Sequence, residues 1–224
     1  MSNREPDLNR DNIWIRDKRD FAVRVEERDL RLIRDSGLRV EEGTRALLME
    51  DGKLVETLRA GFIDMKSHKG GLIWKLLRNP ERLVVILTDD ADAIIDCQYD
   101  RLVTKDNREV AIAVQLVFAI DHPAIFFKNF MRSYSRVYHD DFEKNYHRLI
   151  EDALMEFVRT RSMDDLGSSR DLKADISVSL DNHMNSRLKA DGVKLVDVMS
   201  VRWTSENLDR LRRDREHRSE IDDM

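Results

Sequence analysis

Cysteine is nearly absent from this sequence: its 224 residues contain one, Cys97. A single cysteine excludes a disulfide framework within the chain and a cysteine-rich zinc site. Proline and glycine are also scarce, at three and eight residues, which excludes collagen-like and low-complexity classes. We therefore expect a folded chain in a reducing compartment and predict a cytoplasmic location.

Long apolar runs and an excess of basic charge are missing as well. No stretch approaches the roughly 20 apolar residues that a membrane-spanning helix needs, and the first twelve residues hold no apolar core of a secretory signal. The 39 basic and 44 acidic side chains leave a net charge of −5, although 37% of the residues are charged. Because nucleic-acid binders normally carry excess basic charge, we predict no nucleic-acid partner.

The middle of the sequence has the short apolar runs of β-strands. Residues 44–50 and 53–59 are joined by Asp51-Gly52, which is a strong two-residue hairpin signal. The five consecutive apolar residues 83–87 are typical of a strand that is covered on both faces. These runs predict a β-rich block.

Two further strands are predicted from strict alternation. In residues 94–103 the side chains expected on the apolar face are Ile95, Cys97, Tyr99 and Val103. In residues 110–120 they are Val110, Ile112, Val114, Leu116, Phe118 and Ile120. Residues 105–107 form the turn between the two strands, so the sheet is predicted to be mainly antiparallel.

After Pro123 the apolar period changes from 2 to 3.6. One helix is predicted over residues 135–160, and a second carries apolar residues four apart: Leu172, Ile176, Leu180, Met184 and Leu188. Ser168 with Asp171 resembles a capping box at the start of the second helix, and Gly192 is a typical left-handed stop. Residues 193–203 then have a strand pattern.

This order of elements predicts an α+β fold, in which a mainly antiparallel β-rich subdomain is followed by a helix pair and a strand. We divide the chain into a charged arm and lead-in at residues 1–42, the β-rich subdomain at 43–122, the αβ subdomain at 123–203 and a charged helical tail at 204–224. The tail is either a helix packed on a neighbouring subunit or a solvated helix.

Four stretches resemble one known domain in their order and spacing. Residues 42–61 are similar to the opening of the SPFH, or band 7, domain of stomatins, prohibitins and flotillins, and residues 87–96 to its following strand pair. Residues 110–123, which end in Asp-His-Pro, resemble its central strand and closing Asp-x-Pro element. Residues 192–201 resemble its last strand. The similarity covers about residues 40–203.

The resemblance implies a non-enzymatic scaffold that assembles with copies of itself into rings or cages, usually at a membrane, and that encloses or regulates partners such as proteases. We therefore expect a homo-oligomer, with sheet edges and charge-rich helix faces as contacts, at the inner face of a membrane. The alternative is a soluble adaptor or regulatory subunit of a protease or chaperone without membrane contact.

One helical pattern invites a metal interpretation. His139, Glu143, His147 and Glu151 are spaced four apart, but they span about 18 Å, so they cannot all bind one ion. A solvated helix face is the favoured interpretation and a hydrolase site at His139 and His147 the minor one. No nucleophile or phosphate-loop motif is present. We predict no catalytic, cofactor or metal site and a buried, structural Cys97.

The basic segment 65–83 is the strongest candidate contact region. Its predicted membrane or partner contacts are Lys66, Lys69, Ile73, Trp74, Lys75, Leu76 and Arg78. Such a loop can lie at an anionic bilayer surface, with Trp74 at headgroup depth. The alternative is a long connection between strands in which Trp74 and Leu76 fold back on the sheet.

Overall fold

The α+β prediction is confirmed by the structure, a computed structural model that describes Ile13 and residues 17–25, 37–63, 83–89, 92–131, 134–169 and 171–204. Its strands are β1 (Asp20–Arg24), β2 (Leu38–Val40), β3 (Thr44–Glu50), β4 (Lys53–Leu58), β5 (Gly61–Ile63), β6 (Leu83–Asp89), β7 (Ala93–Val103), β8 (Glu109–Ile120), β9 (Arg136–Tyr138) and β10 (Val193–Thr204). Its helices are α1 (Pro123–Ile125), which continues into a π-helical turn at Phe126–Phe130, then α2 (His139–Arg159), α3 (Met163–Ser168) and α4 (Leu172–Asp191).

The chain forms two compact units, each made of several stretches of sequence. The first combines the described residues of Met1–Ala93 with Ala119–Phe142 and Arg187–Lys194. The second combines Ile94–Phe118, Glu143–Ser186 and the described residues of Leu195–Met224. The division into subdomains at 43–122 and 123–203 stays a prediction. Most of the predicted arm and tail lies outside the described residues.

The first unit contains a five-stranded antiparallel sheet in the order β4-β3-β6-β1-β9, with β2 and β5 as a separate pair. The predicted hairpin is confirmed, because β3 and β4 pair across Asp51 and Gly52, whose φ angles are 49° and 76°. Two positive φ angles define the type I′ turn, whose twist matches the twist of the strands.

β6 is buried on both faces over residues 85–89, as the apolar run 83–87 predicted, whereas β4 at the edge of the sheet is largely exposed. Val85 and Leu87 pack with Val23 and Leu48 in one core cluster. An aromatic cluster of the same unit surrounds Phe21, whose ring lies 4.8 Å from that of Phe142 and 6.2 Å from that of Phe126. These apolar contacts fix β1 within the sheet.

The second unit contains the three-stranded sheet, in the order β10-β8-β7, together with most of α2 and α4. The predicted apolar faces of β8 and α4 are confirmed, since Leu116, Phe118, Ile176 and Leu180 are fully buried. The prediction for Val103 was wrong. Arg101 has a φ of 61°, and beyond it the alternation shifts by one residue, so that Leu102 is buried while Val103 is exposed.

The capping box was predicted at Ser168 and Asp171, but the structure has it at an earlier helix. It is formed by Ser162 and Asp165 at the start of α3, a helix that the apolar period did not indicate. The amide N–H and the hydroxyl of Ser162 both donate to the Asp165 carboxylate, and these bonds lower the pKa of Asp165. Ser168 is the last residue of α3, so it cannot cap α4. Asp171 does cap α4, because its Oδ1 accepts from the Ala174 amide at 3.0 Å.

Gly192 ends α4 in the left-handed conformation, with a φ of 72°, as predicted. It also contacts the chain where β8 ends, since its carbonyl accepts from the amides of Asp121 and His122 at 2.9 and 3.1 Å. A Cβ atom at Gly192 would lie 2.6 Å from the His122 carbonyl oxygen and closer still to the Phe126 amide nitrogen. The Asp-x-Pro element therefore contacts the backbone of Gly192, just before the last strand, where there is no room for a side chain.

Candidate association surface

The predicted contact residues Lys66, Lys69, Ile73, Trp74, Lys75, Leu76 and Arg78 lie outside the described part of the chain, so their contact with a membrane or partner stays a prediction. Phe62, in the strand that leads toward this segment, is 59% exposed. Among the helices that the structure describes, none is long and apolar enough to cross a membrane.

The two histidines of the four-residue pattern have separate surroundings. In the first unit, the ring of His139 packs edge-on against Phe21, and its Nε2 lies 3.6 Å from a carboxylate oxygen of Asp89. In the second unit, the ring of His147 lies 4.8 Å from that of Tyr99, whose hydroxyl donates to the His147 carbonyl. Within the described residues, no three His, Cys, Asp or Glu side chains come together as metal ligands.

Cys97 is 2% exposed in the core of the second unit, which confirms the predicted burial. Burial raises the pKa of its thiol to about 11, and the negative charges of Glu143 and Asp96 add to the effect. A reactive cysteine needs the opposite setting, which is an exposed, electropositive one that favours the thiolate. Cys97 is therefore a neutral packing residue near neutral pH.

The sheet of the second unit has two long outer strands among the described residues, β7 and β10. β7 has 11 residues and β10 has 12, and each pairs with β8 on one side within the described chain. The outward edge of such a strand presents backbone N–H and C=O groups that can pair with another strand. Both strands also carry exposed apolar side chains: Ile94 and Val103 on β7, and Val196 and Met199 on β10.

The two sides of β10 differ in chemistry. Lys173 of α4 lies 3.6 Å from the exposed Asp197, whereas Val198 beside it is fully buried. Beyond Val198, Met199, Val201 and Trp203 alternate with Ser200 and Arg202, and none of these five residues is fully buried. On the other side, Ser200 and Arg202 share a shallow depression with Asp96 and Gln98 of β7 and Ala113 of β8.

On this second side the exposed charged residues are Asp96, Asp100 and Arg101 on β7 and Arg202 on β10. β7 presents Asp96 and Asp100, which accept hydrogen bonds from Gln115 at 3.1 Å and from Gln98 at 3.2 Å. β10 presents Arg202. Sheet edges were predicted as contacts between subunits, but periodicity carries no signal for which strand of a sheet lies outermost, so β7 and β10 were not identified from the sequence.

Antiparallel strands followed by helices and a last strand define an SPFH-like fold. The model of the SPFH domain / Band 7 family matches residues 38–210, and the chain belongs to this family. A search of curated proteins found no match to the chain. The family consists of scaffold proteins that are generally not enzymes and that typically oligomerise and associate with membranes.

Proposed function

We propose that this protein is a non-enzymatic scaffold that assembles from copies of itself into a ring or cage. The observation that carries the proposal is the pair of long outer strands in the second unit, on a chain whose family is one of scaffolds. Paired outer strands offer hydrogen bonds and apolar contact to another copy, and the attraction between Arg202 of β10 and the acids Asp96 and Asp100 of β7 favours a defined alignment.

The assembly is proposed to act in the cytoplasm at the inner face of a membrane, where it organises a membrane patch or a protease partner. The basic segment 65–83 supports a contact with anionic lipid, and the exposed Phe62 adds an apolar side chain at the described end of the strand before it. Cations attract the headgroups while apolar side chains enter the interface, and together these two effects give peripheral binding.

Self-assembly is expected in light scattering of the purified chain after size-exclusion chromatography. At micromolar concentration, the measured mass should exceed that of one chain and should fall on dilution, because edge pairing is reversible. A mass of one chain at every concentration and at low salt would contradict the scaffold. A monomer that retrieves one stoichiometric protein partner would instead support the adaptor function.

Membrane contact is expected to appear as co-sedimentation with vesicles that contain anionic lipid. Binding should weaken as salt is added, since screening shortens the reach of the lysine charges. Trp74→Ala combined with Lys75→Ala should reduce the pelleted fraction several-fold, while Val178→Ala, which changes an exposed apolar residue on α4, should leave it unchanged. Wild-type protein that does not pellet in low salt would exclude this contact and leave self-assembly intact.

A further inference from the structure

We propose that neighbouring copies join through unlike edges, with the β10 edge of one copy against the β7 edge of the next. This inference rests on the proposed self-assembly and specifies its surface. The occupant of each edge is therefore a second copy of this chain, and the contact is head-to-tail rather than between two identical patches. Head-to-tail contacts produce a ring when the rotation closes and a filament when it does not.

The backbone geometry of the two edges supports strand pairing over a limited length. β10 is 12 residues long, while β7 is regular from Ala93 to Asp100 and is interrupted by the positive φ of Arg101. Eight paired residues correspond to about 26 Å of strand. The interruption at Arg101 limits pairing at the far end of β7, which favours one register over a set of shifted ones.

The side chains favour unlike over like edges. Two β7 edges would bring Asp96 and Asp100 of one copy beside the same acids of the other, which is repulsive. When β10 pairs with β7, Arg202 meets these acids on the same side of the extended sheet. Ile94 of β7 and Val196 of β10 are each 48% exposed, so both would lose contact with water when the two strands pair.

Two variants that each block one edge test this arrangement. Val196→Lys with Met199→Lys blocks β10, and Ile94→Lys with Gln98→Lys blocks β7, because charged lysines at an edge oppose pairing. All four positions are exposed, so the fold should be retained, and an unchanged unfolding midpoint checks this. At the concentration where wild type assembles, each variant alone should form at least tenfold less of any species that is larger than one chain.

The decisive measurement is the equimolar mixture of the two variants. Each supplies the intact edge that the other lacks, so the mixture should form one species of twice the chain mass and nothing larger. Met155→Lys with Val178→Lys makes the same chemical change on the exposed helix faces of this unit and should assemble like wild type. Leu54→Lys, on the outer strand β4 of the five-stranded sheet in the first unit, should also assemble like wild type.

Several outcomes would overturn the inference while self-assembly stands. If the β10-blocked variant assembles like wild type, this edge is not used; if only the β7-blocked variant does so, the contact joins two β10 edges. A mixture that stays at one chain mass, or Leu54→Lys that abolishes assembly, would place the contact elsewhere. Wild type that is monomeric at every concentration would instead contradict the proposed function, and this sample is measured first.

Discussion

Gly192→Ala is expected to lower the free energy of unfolding by at least about 3 kcal/mol, among the largest effects of any single substitution in the described chain. Two costs combine at this position. A φ of 72° costs an alanine about 1–2 kcal/mol, and its Cβ would overlap backbone atoms of His122 and Phe126. Backbone atoms cannot move aside as the end of a side chain can, so the join between β8 and β10 has to open. Urea denaturation followed by circular dichroism measures the loss.

Gly43→Ala is the matched control for this prediction. Gly43 has a φ of 75°, close to that of Gly192, but a Cβ there would meet no atom within 4 Å. Gly43→Ala should therefore lower the free energy of unfolding by about 1–2 kcal/mol, from the backbone conformation alone. If the two variants are equally destabilised, the close backbone approach at Gly192 adds nothing to the loss, and conformation alone accounts for both results.

Asp20→Asn is expected to destabilise the first unit by about 3–5 kcal/mol, because it leaves the charge of Arg136 without its partner. Asp20 has no exposed surface, and both of its carboxylate oxygens accept from Nη1 of Arg136, at 3.0 and 2.9 Å. Asparagine keeps the shape and removes the charge. The loss should be visible in urea denaturation of the whole chain.

Two further variants separate the charge effect from packing. Asp20→Leu with Arg136→Met should recover much of the lost stability. The Nε of Arg136 is buried without a hydrogen-bond partner, so the ion pair does not fully offset the cost of removing its charges from water. Asp17→Asn, which removes an exposed carboxylate 3.2 Å from Arg19, should have little effect. A double variant as unstable as Asp20→Asn would show that polar geometry, rather than charge, matters at this site.

Local patterns predicted the elements whose structure depends on local chemistry. The Asp51-Gly52 turn, the buried face of β8 and the apolar stripe of α4 all occur where the sequence placed them. A hairpin of two residues needs positive φ angles, which glycine and aspartate tolerate. A face that packs on a core needs apolar residues at the period of its element. Both requirements can be read from neighbouring residues.

The predictions that failed depended on backbone conformation or on distant partners. Val103 was placed on the wrong face because the left-handed conformation of Arg101 is not encoded in the alternation around it. The short strands β2, β5 and β9 were missed because three residues are too few to show a period. Ser162 and Ser168 each have an aspartate three residues later, so only the observed helix start distinguishes the real capping box.

The scarcity of cysteine, proline, glycine and long apolar runs determined the class of chain, and the order of strand and helix patterns determined the α+β fold and the resemblance to the SPFH family. Only the tertiary structure decided which of the described strands lie outermost, that Asp20 meets Arg136 across 116 residues, and that Gly192 has no room for a side chain. The reason is that periodicity reports which face of an element is buried, whereas strand order and close approach arise from contacts between distant parts of the chain.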